Sequence, residues 1–203
     1  MTAGPRLHEV QRLPTSGARA AVPFELDGEL FLAIPQLAED IPGDPPDMNG
    51  GTSDVDALIY RWQPSEDPAG AKVGQGAFAE YQRIPAFGGE SIAFFFLGHR
   101  CFLAVAHIRS GTRPDFNYRP YSMLYEWDGR RFFPVQSFPT FAAKHVHAFR
   151  IGDRHFLAFA EAVAPPGAPA ADTFSHIYGW TGDRFEPFQA LPSTWGYGFT
   201  HFR

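Results

Sequence analysis

A short block of residues recurs four times along this chain of 203 residues, and the recurrence restricts the fold more than any other property of the sequence. In its fullest form the block reads Val135-Gln136-Ser137-Phe138-Pro139, then Phe149-Arg150-Ile151-Gly152, then Phe156-Leu157-Ala158. One earlier copy reads Val10-Gln11-Arg12-Leu13-Pro14, Phe24-Glu25-Leu26-Asp27 and Phe31-Leu32-Ala33. The other reads Tyr81-Gln82-Arg83-Ile84-Pro85, Phe95-Phe96-Leu97-Gly98 and Phe102-Leu103-Ala104. A last copy, Phe188-Gln189-Ala190-Leu191-Pro192 with Phe202-Arg203, stops halfway. The four glutamines are spaced by 71, 54 and 53 positions. A period near 50 with strand-like content points to propeller blades rather than helical solenoids.

Each copy resolves into four short strands. The Gln-containing segment ends on Pro, which cannot donate to a ladder and so belongs at a strand end. The next segment alternates in polarity: Ser91, Ala93, Phe95 and Leu97 share one face, as do His145, His147, Phe149 and Ile151. Tight turns at Asp27-Gly28, Gly98-His99 and Gly152-Asp153 follow, where Gly supplies the positive φ of a hairpin. The third segment, Phe31 to Pro35, Phe102 to Ala106 and Phe156 to Ala160, is almost continuously apolar, which predicts burial on both faces. The fourth carries Tyr60 and Trp62, Tyr125 and Trp127, or Tyr178 and Trp180, expected to pack between sheets. Long irregular loops separate the third and fourth segments (Leu37 to Val55, Ile108 to Pro120, Ala162 to Thr173), and an insertion, Gln63 to Ala77, accounts for the longer first interval.

The expected architecture is therefore all-β, a single repeat domain over residues 1–203 with copies at approximately 8–75, 76–129 and 130–182 and a partial one at 183–203. The 21 Phe, 7 Tyr and 4 Trp suit interlocking sheet faces. A net charge of −5 and the absence of any basic run give no support to a nucleic-acid or anionic-membrane partner. The longest apolar run, Ile92 to Leu97, is too short to span a bilayer, and no signal-peptide pattern opens the chain. Cys101, alone in a strand-like run, reads as a buried, inert thiol.

These blocks resemble the EAR repeat, also called the epitempin or EPTP repeat, whose pattern runs aromatic-Gln-x-apolar-Pro, Phe-x-Ile-x-Gly, Phe-Leu-Ala-Val-Ala-Asn and Ser-x-Ile-Tyr-x-Trp. The resemblance covers nearly the whole chain. It implies a propeller of seven blades, of which about three and a half four-stranded ones are present here, and a protein-binding module without catalysis or cofactor, often extracellular. Seven such units need roughly 350 residues at about 50 each, so the expectation is a segment of a longer protein or a subunit whose ring another chain completes. The usual Asn after the Ala-Val-Ala run is replaced by Gln36, His107 and Glu161.

Several side chains are candidates for function. Gln36, His107 and Glu161 occupy one repeated position and would form a polar ring for a small molecule or ion if they faced a central channel; in an enzyme, His107 and Glu161 would act as acid and base. Their alternative role is to pair with backbone at strand ends. His145 and His147, two apart on a strand, present two nitrogens to one side and are the candidates for metal binding, against a hydrogen-bonded core pair. Gln11, Gln82, Gln136 and Gln189 recur in every copy, as a structural clasp between strands would. Arg113, Tyr118 and Arg119 crowd one loop and carry the residue types that dominate interfaces. The function expected is recognition of a protein or glycoprotein through the loop face, with channel-mouth catalysis and self-association as the alternatives.

Overall fold

The computed structural model describes residues 9–44, 47, 50–65, 76–163 and 173–202. Parts of the first and third long loops and most of the 63–77 insertion lie outside these residues. Among the described residues there is no helix. Twelve strands form three four-stranded antiparallel sheets, each a simple meander. The first contains β1 (Val22–Leu26), β2 (Glu29–Ile34), β3 (Ala57–Pro64) and β4 (Gly76–Ile84). The second contains β5 (Gly89–Leu97), β6 (Arg100–His107), β7 (Tyr121–Trp127) and β8 (Phe132–Pro139). The third contains β9 (His145–Ile151), β10 (Arg154–Ala160), β11 (Phe174–Trp180) and β12 (Phe185–Pro192). This is a propeller-type arrangement: β5 packs beside both β1 and β9, and apolar clusters join the first sheet to the second and the second to the third.

The sheets are offset by one strand from the sequence repeat. The Gln-containing segment does not open its own copy; it forms the outer strand of the sheet before it. Short turns after Trp127 and Trp180 leave no length for anything but antiparallel return, so β8 and β12 pair with β7 and β11. The half copy at 183–203 thus supplies β12 and completes the third sheet. Val10–Pro14 lies against the first sheet outside any named strand, with Leu13 packed on Ile34, Leu58 and Tyr60.

Register is repeated in detail. Phe24 pairs with Phe31, Phe95 with Phe102 and Phe149 with Phe156. A bulge falls at Ile59/Tyr60, Leu124/Tyr125 and Ile177/Tyr178, one residue short of the clasp glutamine on the partner strand. The apolar run in β6 is explained by two cores. Cys101, Leu103 and Val105 enter one cluster with Phe24, Phe31 and Ile59 of the first sheet. Phe102, Ala104 and Ala106 enter another with Leu157, Phe159 and Tyr178 of the third. A strand between two sheets has no solvent face, so alternation disappears. Cys101 is buried, and that burial pushes its thiol up to about 12.

The glutamines clasp neighbouring sheets. Gln82 Nε2 donates to Phe132 O at 2.7 Å and its Oε1 accepts from Phe132 N at 2.9 Å. Gln136 does the same with Phe185, and Gln11 with Phe78. Tyr60 and Tyr125 hydroxyls add bonds to the carbonyls of Pro14 and Pro85.

Candidate functional site

The repeated position past β2, β6 and β10 is a hub. Gln36, His107 and Glu161 are 2%, 0% and 1% exposed. Gln36 Oε1 accepts the Ser16 N–H, and Glu161 Oε2 accepts the Phe141 N–H, each from the residue twenty positions earlier. Their backbone carbonyls reach the next copy: Gln36 O accepts from Gly89 N, His107 O from Ala143 N, and Glu161 O from Gly196 N. One residue position thus ties its own entry loop and the following sheet together. The loop is turned by a left-handed residue that recurs as Gly17, Gly88, Ala142 and Trp195, with φ of 61°, 55°, 45° and 62°. At Gly88 a Cβ would stand 2.6 Å from the Arg109 carbonyl, so glycine is required there.

His107 fits the hub imperfectly. Its Nδ1–H donates to Tyr121 O at 2.7 Å, while Nε2 has no partner among the described residues and the ring sits edge-on to Phe87. Burial holds its pKa down, at about 4, so the imidazole is neutral. His107 and Glu161 are each bonded within their own surroundings and no hydrogen bond joins them.

Glu161 has a different acid–base partner. Its Oε1 accepts from His176 Nδ1 at 2.7 Å, and the nearby carboxylate raises the His176 pKa although partial burial opposes it. His176 comes from β11, at a position filled by Leu58 and Met123 in the other sheets. The pair lines a cavity of about 280 Å³ with Arg119, Tyr121, Thr140 and Phe141. Arg119 lies with its guanidinium carbon 5.0 Å over the Phe141 ring. Two of the residues singled out from sequence, Arg119 and Glu161, therefore meet at one pocket.

The loop carrying Arg113, Tyr118 and Arg119 is firmly built. Ser110 and Asn117 exchange backbone hydrogen bonds, Ser53 N donates to Gly111 O, and Arg113 N donates to Gly51 O. Gly111 N donates to Asp54 Oδ1. Beneath, Arg109 is buried, donating from Nε to Ser53 Oγ and lying 3.9 Å from the Phe116 ring centroid. Tyr118 packs onto Leu37, Ile108, Ala142 and Val163, which join the loop bases of all three sheets in one cluster. Arg113 and Arg119 are exposed.

An ion triad lies beside this hub and was not singled out from the sequence. Arg19 Nε and Lys144 Nζ lie 2.9 and 2.6 Å from the same Glu90 oxygen, and the Glu90 side chain is 3% exposed. These residues are spaced by 71 and 54 positions, the repeat interval itself, and so come from one position of three successive copies. Their charges differ, which hides the register from any search for like residues.

His145 and His147 belong to a different environment. His145 Nδ1 accepts from Phe199 N, and His147 Nε2 shares a hydrogen bond of 2.9 Å with His201 Nδ1. The His147 ring stacks on Phe149 at 5.7 Å. Among the described residues no group of three His, Cys, Asp or Glu has the arrangement of a metal site. Burial lowers the pKa of both, and for His147 the neighbouring histidines lower it further.

The family model of the EPTP domain matches residues 6–63 and 131–181, more than half of the chain. The human thrombospondin-type laminin G domain and EAR repeat-containing protein is 34% identical over 106 residues, 51% of this chain and 14% of that protein. Its mouse counterpart is 32% identical over 117 residues, 58% of this chain and again 14% of the relative. The matched stretch is thus about one seventh of these relatives' length. With three sheets registered on the same landmarks, the chain belongs to the EPTP, or EAR-repeat, family.

Proposed function

We propose that this chain is a binding module that recognises a protein or glycoprotein partner through the face built by its long loops. The observation that carries this reading is the loop of residues 108–120. It is cross-bonded to the 50–54 segment of the preceding sheet, rests through the half-buried Tyr118 on a shared apolar base, and leaves Arg113 and Arg119 exposed. A loop already ordered before contact spends little entropy on binding, and Arg and Tyr are the residue types that anchor interfaces. The test is a quantitative pull-down comparing wild type with the Arg113→Ala/Tyr118→Ala/Arg119→Ala variant. A control variant, Arg12→Ala/Arg184→Ala, alters charge elsewhere. Partners lost by the first and kept by the second support the reading; an unchanged set for both removes this loop from it.

Self-association has separate support. Phe149 and Phe156 occupy the positions at which Phe95 and Phe102 meet Phe185 and Trp180 of the next sheet. Phe188 is half exposed, and the Gln189 side chain is exposed where its equivalents clasp a following strand. A solution mass is decisive: a strictly monomeric 22.6 kDa species at high concentration contradicts self-association.

A further inference from the structure

We propose that the pocket between Arg119 and His176 is a binding site for a single carboxylate group, presented by the partner as an acidic side chain or an acidic sugar. This deepens the binding-module reading and rests on it. The charge arrangement carries the inference. Both oxygens of the buried Glu161 are already engaged, one by the Phe141 N–H and one by His176 Nδ1. Its charge is therefore directed inward, toward the imidazole and the hub. Arg119 forms no ion pair among the described residues; its guanidinium is held over Phe141 with its donors unspent on any carboxylate. Fixing Nδ1 on Glu161 leaves His176 Nε2 as the nitrogen available to the half-exposed side of the ring. With His176 protonated, Arg119 and His176 outweigh Glu161 by one positive charge. Tyr121, 58% exposed, adds a hydroxyl-bearing wall, and Phe174 and Pro139 give the cavity apolar sides. At about 280 Å³ the space suits one side chain or one sugar ring rather than a larger ligand.

A guanidinium and an imidazolium lining one cavity offer the donors that a carboxylate takes up, since it accepts charge-assisted hydrogen bonds at both oxygens. The site should also respond to pH. The titratable or charged groups facing His176 are Glu161 just past β10, Arg119 on the approach to β7, Tyr121 at its start, and Tyr178 on its own strand. On its other side β12 places the uncharged Ala190 opposite. Loss of the His176 proton brings the pocket to neutrality and weakens its hold on an anion.

The experiment uses the full chain and four small probes followed by NMR titration. N-acetylglutamate α-amide and N-acetylneuraminate carry the carboxylate on a side chain and a sugar; N-acetylglutamine α-amide and N-acetylglucosamine are their neutral counterparts. The expected result is saturable binding of at least one acidic probe at pH 6, at least tenfold tighter than its neutral counterpart. Arg119→Gln weakens it at least fivefold with the strand resonances unchanged. In the wild type the affinity falls as the pH rises through the titration of His176, and in His176→Gln that dependence disappears. Which acidic probe binds identifies the source of the carboxylate. Equal binding of acidic and neutral probes, or an Arg119→Gln variant that binds as well as wild type, overturns the proposal. If the probes overturn the pocket while the Arg113→Ala/Tyr118→Ala variant, whose substitutions lie outside the pocket lining, still loses partners, the pocket fails and the module reading stands.

Discussion

The amide of Gln82 in one sheet closes both backbone groups of Phe132 in the next, donating to its carbonyl and accepting from its N–H. Gln136 repeats the bond pair on Phe185. A side chain of this length that satisfies a donor and an acceptor at once is a clasp that its isostere Glu, which only accepts, does not reproduce. Gln136→Ala leaves two backbone groups of Phe185 without their partners and should cost about 1–3 kcal/mol in urea unfolding. Gln136→Glu should be no better, because a carboxylate meets the Phe185 carbonyl without a donor. A loss within a few tenths of a kcal/mol in either variant would show that water replaces the clasp.

His107 makes the fold acid-sensitive. Its folded pKa, about 4, lies below the ordinary value near 6.5. Stability from this group is fully present above pH 6.5 and is lost as pH falls toward 4, because the unfolded chain takes up a proton that the buried ring refuses. The loss amounts to about 3 kcal/mol. His107→Gln installs the residue found at the equivalent Gln36, which both donates and accepts in the hub. That variant should flatten the stability profile between pH 6.5 and 4 without loss at pH 7.5. An unaltered profile would place the acid sensitivity elsewhere.

His176 carries the opposite sign. The Glu161 carboxylate raises its folded pKa, so its contribution is fully present below the unfolded value near 6.5 and fades as pH rises through the folded pKa. In Glu161→Gln the His176 ring should titrate lower than in wild type by NMR. A titration that does not move would mean that the 2.7 Å contact is not an ion pair in solution.

Glu90 holds two cations. Glu90→Gln leaves Arg19 and Lys144 facing one another and should destabilise by about 2 kcal/mol, discounted because both cations reach solvent in part. Arg19→Met alone should cost less, since Lys144 remains paired. Adding Arg19→Met to Glu90→Gln should recover part of the loss by relieving the repulsion. Strict additivity in this cycle would break the triad into independent pairs.

Much of the architecture was legible because its determinants repeat by residue type. Phe31, Phe102 and Phe156 mark the strands buried on both faces, and the glutamines mark the clasps. The sheet boundaries were not legible. Repetition gives a period but no origin, and only the short turns after Trp127 and Trp180 decide that β8 and β12 close the preceding sheets. The candidate site was legible in part. Glu161 and Arg119 were visible as residues, but a single sequence gives no sign that a loop before β7 meets the end of β10. His176 was missed, and its signal was a histidine where the other copies carry Leu58 and Met123. The Arg19, Glu90 and Lys144 triad was hidden because its members share a position but not a charge.

That the loop face is a pre-formed surface rather than a set of slack connections is tested most directly by amide hydrogen exchange at single-residue resolution. In a pre-formed surface the amides of Ser53, Ser110, Arg113, Asn117 and Ala142, each bonded to a backbone carbonyl, exchange as slowly as those of β6 and β7. Exchange of these five amides at the rate of an unstructured chain, while the strands stay protected, would contradict it.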